Sequence, residues 1–163
     1  MTFSRSRLLG LLLALAAAGL VLALWPRRPP DPKELIVRNV VKMTHAAETR
    51  QVSGVMSYVS ERFRSEDGWT RAEAKAVVAR EVLTGTWVRI FTTDLEVTLT
   101  SATTAELSGK FIFGRSDADK LEELAKESVL SAYRIDGRLE KEADGEWRFV
   151  WARPRQLPPE GLF

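Results

Sequence analysis

Two residues, His45 and Asp94, carry side chains that could move a proton inside an apolar site, and Tyr58 and Tyr133 could hydrogen-bond a ligand there. General acid–base chemistry needs such a group within hydrogen-bond reach of a substrate proton, with its pKa brought towards the working pH. His45 is the only histidine and the chain has no cysteine. That removes thiolate metal sites, disulfides and most metal or triad arrangements. Helical spacing sets Val41 and Thr49 beside His45, at the edge of an apolar stripe, where a histidine satisfied by water or backbone is expected. Asp94 follows Thr92 and Thr93 at the start of a strand. Enclosed in an apolar cavity, its pKa would rise and it could act as a base. The alternation of Leu95, Val97 and Leu99 with Glu96, Thr98 and Thr100 instead groups Asp94 with the outward, solvated set. The sequence holds no glycine-rich phosphate loop, no Gly-x-Ser-x-Gly turn and no metal-ligand cluster. No catalytic set, metal or cofactor is therefore expected.

Two further groups could recognise a ligand or a partner. Tyr58, Phe63, Trp87, Phe111, Phe113, Tyr133 and Trp147 fall at inward positions. They read either as packed core or as the lining of a pocket for a small molecule. Glu96, Thr98, Thr100, Glu106, Ser108 and Lys110 form the complementary outward set on two strands, a candidate face for self-association or for a protein partner. Arg62-Phe63-Arg64 and Arg153-Pro154-Arg155 are too sparse for a nucleic-acid groove, which needs clustered positive charge.

The elements that must position these groups follow from periodicity. Ile36, Val37, Val40, Val41, Thr44 and Ala47 recur at three-four spacing and predict a helix from about Pro32 to Arg50. Val52, Val55, Met56, Val59 and Phe63 continue the period in a shorter second helix, closed by the Ser65-Glu66-Asp67-Gly68 turn. Thr70 with Glu73 three residues later is a capping box that opens a third helix, ending near Thr84-Gly85. From Thr86 the period changes to two. Strands are expected through Leu95–Leu99, Ala105–Phe113, Val129–Glu142 and Trp147–Trp151. Residues Asp117 to Glu127 read as a short capped helix inserted between strands, and Pro154 to Phe163 as a loosely held tail. Helices followed by an antiparallel meander define an α+β chain, with three helices packed on one face of a strongly curved, cone-like sheet.

Ahead of this domain, Leu8 to Trp25 is an apolar run of 18 residues without a charge. As a helix it would extend roughly 27 Å, close to the hydrocarbon thickness of a bilayer. The small-residue triplets that resemble cleavage sites lie in the middle of the run rather than at its end, so a retained signal anchor is expected. Residues 1–7 then form a basic head, 8–25 a single transmembrane helix, 26–32 a proline-rich stalk, 33–153 the folded domain and 154–163 the tail. Four of the 24 basic residues, Arg5, Arg7, Arg27 and Arg28, precede Asp31, whereas all 22 acidic residues lie from Asp31 onward. The domain is thus mildly acidic, and the positive excess lies where it suits anionic lipid headgroups. The expected location is the inner membrane with the domain on the extracytoplasmic side, because large following domains translocate largely regardless of charge.

The order of helices and strands, together with Tyr133-Arg134-Ile135-Asp136-Gly137-Arg138-Leu139-Glu140-Lys141-Glu142 and Asp144-Gly145-Glu146-Trp147-Arg148-Phe149, resembles the nuclear transport factor 2-like, or cystatin-like, superfamily. There too a strand reaches an Asp-Gly turn and a tryptophan opens the final strand. The resemblance runs over roughly Lys33 to Arg153 and implies a conical cup. Such cups serve as isomerases, dehydratases and cyclases with a Tyr, Asp or His inside, or as binding modules; one group joins a single membrane anchor to a cup. Two functions follow as expectations. The first is a non-enzymatic, membrane-anchored domain for protein interaction or assembly at the cell envelope. The alternative is a small-molecule binder or isomerase/dehydratase-like enzyme using the cone cavity.

Overall fold

The computed structural model describes residues 30–87, 89–114 and 129–158. The chain divides into two units, 1–30 and 31–163. The predicted anchor over 8–25 and the inserted helix over 117–127 lie outside the described residues. Among the described residues no helix is long and apolar enough to cross a membrane.

Helix α1 spans Pro32–Glu48. Its start is written in the sequence: Asp31 accepts a bond from the Lys33 amide, and Pro32 occupies the first turn, where its missing amide proton costs nothing. Ile36, Val40 and Ala47 turn inward. After the helix the backbone passes through Arg50 at φ 62°, a left-handed conformation uncommon for a side chain with a Cβ. Helix α2, Val52–Met56, is a single short turn.

The expected second helix stops at Met56 and does not run on through Val59 and Phe63. Residues Val59–Ser65 are strand β1, which pairs in parallel with the last strand. The alternation was hidden because two of its three buried positions are serines. Ser60 is fully buried and donates to Glu142 at 2.7 Å, while Ser65 Oγ accepts from the Trp69 amide at 3.0 Å. A buried hydroxyl that is hydrogen-bonded is tolerated, so the strand needs no hydrophobic signature.

Helix α3, Arg71–Thr84, opens on the capping box anticipated from Thr70 and Glu73, with both reciprocal bonds formed. The bonds from Thr70 hold the Glu73 carboxyl below its ordinary range. Three strands then run antiparallel, β2 (Arg89–Leu99), β3 (Thr104–Gly114) and β4 (Val129–Lys141), followed by β5 (Trp147–Gln156). The sheet order is β1-β5-β4-β3-β2. The result is an α+β fold with helices on a five-stranded sheet, and β1 makes that sheet mixed rather than purely antiparallel.

Two local devices shape the sheet. Thr93 pairs with Lys110 but Glu96 pairs with Ser108, so Asp94 and Leu95 together oppose Gly109 in a bulge, with Asp94 at φ 50°. Leu95 lies over Gly109, where an added Cβ would come within 2.9 Å of its Cδ1. At the Asp144-Gly145 turn, Arg148 donates to both Asp144 oxygens and to Glu142. That fork drops the Asp144 pKa to about 2.

Residues 154–156, assigned from the sequence to a loose tail, continue β5 and pair with Ile135, Arg134 and Tyr133. Pro154 is accommodated because β1 ends opposite Ala152, so no neighbour on that side calls for its amide. The main core lies between helices and sheet and includes Ile36, Val40, Phe63, Leu107, Phe111, Leu139, Trp147 and Phe149.

Candidate functional site

α1 packs against α2 and β2, whereas α3 packs against α2 and β1. The two long helices are thus bridged by the short one, and a cavity of about 240 Å³ opens between them and the sheet. Met43, Thr44 and Ala47 come from α1, Val55 from α2, and Val77, Val78, Glu81 and Val82 from α3. The sheet side supplies Trp87, Ile90, Phe111, Phe113 and Ile135. The Trp87 and Phe113 rings meet edge to face at 5.6 Å, and Phe113 meets Tyr133 the same way at 6.0 Å.

Trp87 is held from outside the cavity. The Arg50 guanidinium donates to the Val82 and Trp87 carbonyls and stacks over the Trp87 ring at 4.6 Å. Glu48, at the end of α1, accepts the Ile90 amide at 2.8 Å and ties β2 to the same corner. The lining offers little polarity. Thr44 spends its hydroxyl on the Val41 carbonyl within its own helix, and Glu81, the one titratable lining residue among those described, pairs with Arg80.

The structure brings together three of the seven expected pocket aromatics: Trp87, Phe111 and Phe113 line the cavity. Phe63 and Trp147 are instead packed solid in the core. Tyr133 backs Phe113 without lining the cavity, and Tyr58 is half-buried where its carbonyl accepts the Phe149 amide. The two groups weighed for proton transfer both face solvent. The His45 side chain is 73% exposed, and Asp94 sits on the outer face of the sheet, bonded to Lys110 at 2.8 Å. The Lys110 ammonium holds the Asp94 carboxyl below its usual range, the reverse of what a base needs.

Sequence reasoning missed the α3 contribution. Val77 and Val78 are half-buried at the wall of the cavity, Val78 also packing against the Ala46, Val55 and Trp87 cluster. The weak apolar stripe of α3 was the available signal.

On the opposite face of the sheet, Glu96, Thr98, Glu106, Ser108 and Lys110 project together as expected, with Thr100 at the end of the strand beside Thr104. There β4 and β5 add Asp136, Arg138, Trp151, Arg153 and Arg155, lining a second, polar groove of about 540 Å³. Burial would raise the Asp136 carboxyl, but bonds from Arg153, Ser108 and Arg155 together outweigh it and hold it low.

No known family profile and no curated protein matches the chain. Solved structures do. A protein of unknown function with a cystatin-like fold from Nostoc punctiforme superposes with a TM-score of 0.61 at 11% identity, over 80% of this chain and 94% of that one. A proposed scytalone dehydratase from Novosphingobium aromaticivorans gives 0.60 at 12% identity, over 77% and 84%. An NTF-2-like protein of unknown function from Shewanella oneidensis gives 0.57 at 15%, over 76% and 98%. At these identities the likeness establishes the fold: the domain has the cystatin-like, or nuclear transport factor 2-like, architecture.

Proposed function

We propose that the domain binds a small, largely apolar molecule of one or two rings in the cavity between α1, α3 and the sheet. The observation that carries this reading is an apolar cavity of about 240 Å³ whose described lining holds no free acid or base. Engineered apolar cavities of ~150 Å³ already take benzene, and drug-sized ligands occupy ~300–1,000 Å³. A site of intermediate size without a proton-transfer group suits retention of a ligand better than its turnover. The likeness to a proposed dehydratase supports use of the cavity for a small molecule, while the positions of His45, Asp94 and Tyr58 favour binding alone.

The test is titration of the full-length chain with 2-naphthol, read by methyl shifts of Met43 and Ala47. Saturable shifts are expected, and Val78→Phe, which fills the space, should weaken them by at least about tenfold while leaving the fold intact. Absence of saturable shifts, or binding that Val78→Phe leaves unchanged, would overturn the proposal.

The apolar run at 8–25 favours a membrane-tethered version of this binder, with the domain on the extracytoplasmic side of the inner membrane. Such a chain should stay with the membrane fraction through alkaline carbonate and become accessible to added protease in spheroplasts. Release by carbonate would exclude the tether, and protection from the protease would reverse the orientation.

A further inference from the structure

We propose that the polar groove on the outer face of the sheet binds a short peptide with both ends free, its ammonium held by Glu96 and Glu106 and its terminal carboxylate by Arg138 and Arg153. The groove is separate from the cavity, so the proposal is independent of what the cavity binds.

The groove is divided by sign. One row across the sheet runs Glu96, Ser108, Asp136, Arg153, and the next runs Thr98, Glu106, Arg138, Trp151. The unpaired acids thus stand on β2 and β3 and the guanidiniums on β4 and β5, around one space of about 540 Å³. Asp136 is the acid in the basic half, and two guanidiniums share it at 3.0 and 2.7 Å, so that half keeps a positive excess. Among the described residues Glu96, Glu106 and Arg138 have no ion-pair partner. Glu106 and Arg138 are direct cross-strand neighbours and both are exposed, yet they do not pair with each other.

A ligand of one sign is attracted by one half of this groove and repelled by the other, whereas a zwitterion is attracted by both. Spacing then fixes its length. Strands lie about 4.8 Å apart, so the pair of acids and the pair of guanidiniums are centred two spacings, or about 10 Å, apart. A single amino acid separates its charges by only about 3 Å. An extended peptide gains about 3.3–3.6 Å per residue, which brings the ends of two or three residues to about 7–10 Å. The planar fork of Arg138 suits a terminal carboxylate, which accepts two parallel bonds. Trp151 lies directly across from Arg138, half-buried, with the Arg153 guanidinium 5.9 Å from its ring. It offers an apolar seat for the last side chain of the peptide.

The test is calorimetric titration of the full-length chain in dodecyl maltoside with Ala-Ala-Phe at about pH 7, where both peptide ends are charged. Saturable binding is expected, weakening at least about threefold between about 50 mM and about 500 mM salt. Acetylating the amino end or amidating the carboxyl end should each weaken it by about tenfold, the worth of a charged hydrogen bond. The double variant Glu96→Gln, Glu106→Gln should bind free and acetylated peptide alike, and Arg138→Gln should bind acid and amide alike. Val78→Phe, which fills the cavity, should leave the affinity unchanged. Absence of saturable binding, indifference to blocking either end, or discrimination that survives the substitutions would each overturn the proposal. Loss of binding in Val78→Phe would also overturn it, by moving the peptide to the cavity.

Discussion

Replacing Trp147 by alanine is expected to remove about 3–5 kcal/mol of folding stability, the range for truncating a large aromatic in a packed core. Its side chain is 2% exposed and sits in the cluster formed by Ile36, Val40, Phe63, Leu139 and Phe149, where α1 meets the inner face of the sheet. A domain of this size has about 5–15 kcal/mol in total, so the variant should lie near its unfolding threshold. Trp147→Phe should behave very differently. The Trp147 Nε1–H is buried and has no hydrogen-bond partner among the described residues. Leaving such a donor unsatisfied costs about 1–3 kcal/mol, and phenylalanine removes it while keeping most of the ring. Urea unfolding of the full-length chain should therefore place Trp147→Phe within about 1.5 kcal/mol of wild type and well above Trp147→Ala. Similar losses for both would mean that indole shape, not burial, governs the site.

The second large effect is expected at Arg50, which touches no ligand. Its guanidinium joins the end of α3 to the chain entering β2 through the Val82 and Trp87 carbonyls, and covers the indole that walls the cavity. Arg50→Ala should cost about 2–3 kcal/mol through the charged hydrogen bonds, and should lower affinity for an apolar probe by about tenfold by freeing Trp87. Arg50→Gly loses the same contacts but suits φ 62°. It should recover about 1 kcal/mol of stability relative to alanine, with no recovery of binding. Parallel unfolding and probe titration separate the two roles. If glycine restored binding as well, backbone strain rather than the guanidinium would be positioning Trp87.

The contrast between these two residues mirrors what the sequence could convey. Trp147 belongs to a period-two pattern after an Asp-Gly turn, and such patterns also revealed β2, β3 and the outward set from Glu96 to Lys110. The capping box at Thr70 was legible because it depends on residues three apart. β1 was not, since Ser60 and Ser65 are buried through hydrogen bonds to Glu142 and the Trp69 amide. Only a three-dimensional partner distinguishes them from solvated serines. The cavity was legible in part: its aromatics stood out, but space between α1 and α3 depends on how α2 spaces them, and spacing of helices has no periodic signature. Arg50 was invisible for the same reason, because its partners lie 32 and 37 residues away.

The parallel pairing of β1 with β5 has a consequence for how this chain must be made. Val59 finds its partner at Phe149, and among the described residues β1 has no other strand beside it. At about 5–20 residues per second, a ribosome needs roughly 5–20 s to add the intervening segment. During that interval the first half of the domain exists without the edge that fixes it. Folding of the domain is therefore completed only once β5 has been made, and a message truncated anywhere before β5 yields a chain that quality control should recognise, however much of the helical layer it contains.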